Sequence, residues 1–129
     1  MSLSDIHGIL FNAHILFSIA LGIWAAVMAA RNQSISGNFW GALATITILA
    51  ATVITLGFIM TLQGLRPADG RLSLYYLYMI WLMVIMPGLF SMLRGRDDRS
   101  AAIAFALLAF FNASTSASMA QRMIVGPWA

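Results

Sequence analysis

HGILFNAHILFSIALGIWAAVMAA, His7 to Ala30, runs its whole length without an acidic or basic side chain. At 1.5 Å of rise per residue, a helix of this length spans a hydrocarbon core of about 30 Å. A lone strand there would leave its backbone polar groups unpaired in lipid, so the segment has to be a helix. Three more apolar runs follow, Phe39 to Gln63, Leu72 to Leu93 and Ser100 to Ala120. Residues 1–129 therefore read as one all-α domain, an integral membrane up-down bundle of four transmembrane helices over about residues 7–30, 39–63, 72–93 and 100–120. Met1-Ser-Leu-Ser-Asp5 has no positive charge and the first run is longer than a secretory signal's core, so we expect a retained helix.

The breaks between runs are as informative as the runs. Arg31-Asn-Gln-Ser-Ile-Ser-Gly-Asn38 is a polar turn, and Gly64-Leu-Arg-Pro-Ala-Asp-Gly-Arg71 holds a proline and two glycines that cannot continue a helix. Only Arg94-Gly-Arg-Asp-Asp-Arg99 separates the last two runs, which predicts a tight antiparallel hairpin, with Ser100 as the expected cap of the fourth helix. The tail, with Arg122, Pro127 and Trp128, suits the membrane interface. Trp40, Tyr75, Tyr76, Tyr78 and Trp128 fall near span ends, where aromatic belts form.

Composition agrees, with 61% hydrophobic and 9% charged residues and a mean hydropathy of +0.89, too little polar surface for a water-soluble domain. All seven basic residues are arginines, scattered over the turns and the tail, a pattern for lipid headgroups rather than for nucleic acid. The absence of cysteine rules out disulfides and thiolate metal sites. Arg31, Arg94, Arg96 and Arg99 on one side nearly balance Arg66, Arg71 and Arg122 on the other, and the dense cluster in the short third turn tips the topology toward both termini outside, in a bacterial inner membrane.

Helices associate in lipid where small residues let backbones approach. Ser18, Gly22, Ala26 and Ala30 recur every four residues in the first helix, and Ala109, Ala113 and Ala117 do so in the fourth, so these are the expected packing faces. Asn112, Ser114, Thr115, Ser116 and Ser118 read as hydrogen-bonding glue, and alternatively as a wall of a cofactor or quinone pocket. Pro87-Gly88 predicts a kink in the third helix.

No span carries Asp, Glu, Lys or Arg, which disfavours a coupled transporter or channel. A catalytic triad, a phosphate-binding glycine loop and a His-Glu metal motif are all missing, so we expect no enzyme and no metal centre. His7 and His14 are the candidates for cofactor binding. They stand seven residues apart on nearly one helix face, roughly 10 Å along it, and imidazole ligates haem b iron or a chlorophyll-type pigment. A second copy, or the Met79, Met83 and Met86 stripe, would have to supply the opposite ligand. The structural alternative makes His7 interfacial and places His14 in a packed seam above Ser18, and treats the methionines as adaptable packing.

Gly64-Leu-Arg-Pro67, Tyr75-Tyr-Leu-Tyr78 and Arg94-Gly-Arg-Asp-Asp-Arg99 together resemble a small uncharacterised family of four-helix bacterial integral membrane proteins. The resemblance implies the same fold over most of the chain and leaves activity open. It also implies a histidine near the start of the third helix accompanying the one that opens the first; Tyr75 stands there in this chain.

With no soluble domain and no charge within a span, the expected function is a non-catalytic accessory subunit of a larger membrane electron-transfer or photosynthetic complex, supporting assembly or quinone access among other membrane subunits. A small b-type cytochrome is the alternative, and a channel or transporter the third.

Overall fold

Chain segments this apolar hydrogen-bond within themselves, and the computed structural model, which describes residues 3–66, 72–94 and 96–121, is built of four helices. They are α1 (Leu3–Ala30), α2 (Gly37–Leu62), α3 (Leu72–Met92) and α4 (Arg99–Gln121), each long and apolar enough to cross a membrane. The chain is an all-α, four-helix integral membrane bundle. Residues 67–71 of the second turn and the tail with Arg122, Pro127 and Trp128 lie outside the described residues.

Helix ends follow local chemistry. α1 starts at Leu3 rather than His7, with Asp5 in its first turn facing the positive end of the helix dipole. The Ser36 hydroxyl caps α2 by accepting from the Phe39 N–H at 3.3 Å. α4 is capped by Asp98, not Ser100: its Oδ1 accepts from the Ala101 N–H at 2.9 Å. That bond, with Arg96 nearby, holds the Asp98 carboxyl below its usual pKa. α1, α2 and α3 are each followed by a left-handed residue, Asn32, Gly64 and Arg94. After α1 and α2, paired backbone bonds close the last turn, Asn32 to Ala29 with Gln33 to Met28, and Gly64 to Thr61 with Leu65 to Met60. A bond of 2.8 Å from the Ile35 N–H to the Asp97 carbonyl ties the first turn to the third, so both lie at one end of the bundle.

The inward faces repeat every seven residues. α1 buries His7, Phe11, His14, Ser18, Leu21, Ala25 and Met28; α2 buries Phe39, Leu43, Ile46, Ala50, Val53, Gly57 and Met60. α3 buries Tyr75, Met79, Leu82 and Met86, and the row Ala102, Phe105, Ala109, Asn112, Ser116 and Met119 does the same on α4. Alternating steps of three and four are the pattern of left-handed helix bundles. The strict four-residue row expected in α1 therefore drifts off the interface. Ser18 and Gly22 are buried, but the seam continues through Ala25 and Ala29, while Ala26 and Ala30 are exposed. In α4, Ala109 and Ala113 are buried and Ala117 is half-buried for the same reason.

Neighbours in sequence are neighbours around the bundle, and α1 also packs on α4, the closest seam. Small side chains explain it: Ser18, Gly22, Ala25 and Ala29 meet a helix lined by Ala102, Ala109 and Ala113. The expected tight α3–α4 hairpin is instead the loosest seam, because the inward row of α3 holds only large side chains. α3 runs through Pro87 and Gly88 as one helix, with Pro87 on the outer face.

Two glycines are space-limited. A methyl group on Gly22 would come to 2.9 Å from the ring of Phe110, which is partly exposed and free to shift. On Gly57 it would overlap the hydroxyl of Tyr75 and come within 2.8 Å of its ring, which is fully buried. Gly57→Ala should therefore destabilise the bundle by about 1–3 kcal/mol, the range for overpacking, and Gly22→Ala by less. Thermal unfolding in detergent checks the order; a Gly57→Ala protein as stable as the parent would contradict the packing described.

Candidate functional site

Polar side chains on an inward face must find partners within the bundle, since lipid offers none. They gather at two levels, with apolar packing on either side. Around Leu21, Phe39, Met86 and Phe105 lies one apolar cluster, toward the Arg31 and Arg94 turns; around Phe11, Val53, Met60 and Met79 lies the other, toward the opposite end. Between them sit His14 and Ser18 of α1 with Asn112 and Ser116 of α4, all buried.

At the opposite end, His7 and Tyr75 meet. The imidazole Nε2 lies 2.6 Å from the Tyr75 hydroxyl, which also lies 3.3 Å from the Val53 carbonyl. Gly57 makes room for it. Both side chains are fully buried. If Nε2 carries its proton, Tyr75 accepts from His7 and donates to Val53; in the other tautomer Tyr75 donates to His7. The pair thus joins α1, α2 and α3 through one hydroxyl and can hold a proton at either of two atoms. Tyr76 bonds alongside, its hydroxyl 2.9 Å from that of Thr61.

This corrects two sequence expectations. His7 and Tyr75, both expected at the membrane interface, turn their side chains into the bundle, where they are fully buried. Both changes follow from the seven-residue inward rows, which start at these residues.

The central layer is less tightly bonded. His14 Nδ1 lies 3.5 Å from the Ser116 hydroxyl, and the ring of Phe11 stacks on His14 at 6.5 Å. Ser18 Oγ is buried without a hydrogen-bond partner among the described residues. By contrast, Thr45, Thr47, Thr52, Thr55 and Thr61 of α2 each donate to the carbonyl four residues back, as Thr115 does in α4. Asn112 Oδ1 accepts from the Trp81 indole N–H at 3.3 Å, a side-chain bond that links α3 to α4.

His7 and His14 do share one inward face, but they are not brought onto a common ligand position. An axial bond at His7 Nε2 would have to displace Tyr75. Met79 and Met86 point into the core and Met83 is half-buried. Among the described residues no three His, Cys, Asp or Glu side chains cluster to hold a metal ion. Sequence reasoning missed Gly57, and the Trp81–Asn112 bond; the seven-residue spacing of Gly57 from Ala50 was the available signal for the first. No protein-family model matches the chain, and no curated protein or solved structure matches it.

Tyr75→Phe leaves the His7 imidazole without its hydroxyl partner and should cost about 1–3 kcal/mol, the penalty for a buried polar group losing its bond. Ser18→Ala removes an unbonded hydroxyl and should be neutral or stabilising. Thermal unfolding of the two variants decides. A silent Tyr75→Phe beside a damaging Ser18→Ala would reverse the ranking.

Proposed function

We propose that the chain is a non-catalytic accessory subunit of a larger membrane assembly, of the electron-transfer or photosynthetic class, and that it docks through its α3–α4 face. The observation that carries this is the setting of Trp81. Its indole N–H turns inward to buried Asn112, so the ring is fixed in the middle of the span with its apolar face outward. Phe111 meets it edge-on at 6.2 Å, and the two rings, 40% and 56% exposed, border an apolar groove of about 390 Å³ with Leu74, Leu77, Tyr78 and Thr115. Rigid aromatic side chains lose little entropy on binding and dominate interfaces.

Ser18 and Gly22 of α1 and Ala109 and Ala113 of α4, by contrast, are buried within the bundle and offer a partner little. In this reading the end with Arg31, Arg94, Arg96 and Arg99 faces the inner side of a bacterial inner membrane, following the excess of arginine there.

Mild solubilisation of native membranes should recover the tagged chain in constant ratio with one defined respiratory or photosynthetic complex. Leu77→Trp, which fills the groove beside Trp81 from an exposed position and leaves the Trp81–Asn112 bond in place, should release it while the bundle stays folded. Recovery only as a monomer, with every such complex intact in its absence, would refute the proposal.

A further inference from the structure

The end of α3 nearest Arg94 is flanked by two further grooves. On the α4 side, Ile85, Leu89 and Met92 with Ala104, Leu107 and Leu108 border one of about 420 Å³. On the α2 side, Pro87 and Phe90 with Trp40, Leu43, Ala44 and Thr47 border another of about 400 Å³. Both are lined almost wholly by apolar side chains, and the inward row of α3, through Met86, passes between them.

Directly beyond them the chain turns through Arg94 to Arg99. Arg96 is engaged by Asp98 at 3.2 Å, whereas Arg94 and Arg99 have no ion-pair partner among the described residues, and both are exposed. Arg31 lies in the first turn, which Ile35 and Asp97 tie to the same end. Two uncommitted guanidinium groups at the head of two parallel apolar grooves match one kind of molecule, with an anionic head and two hydrocarbon chains. A partner helix would fill a groove but would leave these charges unanswered.

We propose that the C-terminal end of α3 is a seat for one anionic diacyl phospholipid, its phosphate on Arg94 and Arg99 and one acyl chain in each groove. Guanidinium groups suit phosphate through paired N–H donors. On its α4 side the seat shares Phe111 with the Trp81 groove, whereas its arginines and its α2-side groove lie apart from that surface, and it does not depend on a partner subunit.

Native mass spectrometry of the purified chain tests it, with dioleoyl phosphatidylglycerol against dioleoyl phosphatidylcholine added in detergent. One phosphatidylglycerol should be retained in preference to phosphatidylcholine. Arg94→Gln and Arg99→Gln should each weaken that retention roughly fivefold, the scale of one arginine near an anionic headgroup. Ala104→Phe and Ala44→Phe, which fill the grooves without changing charge, should weaken it too, and glycerol phosphate without acyl chains should not compete. Circular dichroism confirms that each variant is folded, and Ala44→Leu and Ala104→Leu replace any that is not. Equal retention of the two lipids, or displacement by glycerol phosphate, would overturn the proposal. So would retention unchanged in both groove variants, which would mean that charge alone attracts the lipid.

Discussion

Lipid tails are as apolar as leucine, so a helix in a bilayer gains little by exchanging lipid for another apolar surface. Association then depends on how closely backbones approach and on polar groups that can be satisfied only by one another. The arrangement of this bundle follows from where its small residues fall. They line the inward faces of α1 and α4, which close together; they are missing from the inward row of α3, which stands off and leaves grooves on either side.

The polar residues obey the same constraint. Tyr75 reaches across to His7 and the Val53 carbonyl, and Asn112 reaches out to Trp81, so α3, whose inward row has no small residue, is tied to each of the other helices by a hydrogen bond. A buried bond of this sort adds modest net stability but costs much to break, which makes it a device for fixing register. The two ends of the bundle differ in consequence. One is a closed network of imidazole and phenol, and the other is an aromatic cluster of Trp24, Phe39, Trp40, Phe90 and Phe105 beneath a crown of arginines.

The four spans were legible because charge falls outside the long apolar runs, and composition alone forces helices in lipid. Which face of each helix turns inward was harder to read, since the helices are apolar nearly all round and carry no polar stripe to mark the outside. A four-residue spacing of small residues finds Ser18 and Gly22 correctly. It then parts from the true interface, because packed helices in a left-handed bundle repeat every seven residues rather than every eight. Ala26 was selected where Ala25 is buried. Tyr75 shows the same difficulty: a tyrosine at a span's start suits a belt, and only its register with Met79 and Leu82 marks it as interior. For the candidate site, both histidines stood out by type, but their separate partners on α3 and α4 depend on how the helices come together.

Ala25 and Ala26 put the central claim to the most direct test, since they are adjacent, identical in chemistry and assigned to opposite faces. Thermal unfolding of Ala25→Leu and Ala26→Leu in the same detergent should show a large loss of stability for the first and almost none for the second. The reverse order would mean that the four-residue row, not the seven-residue one, faces the bundle.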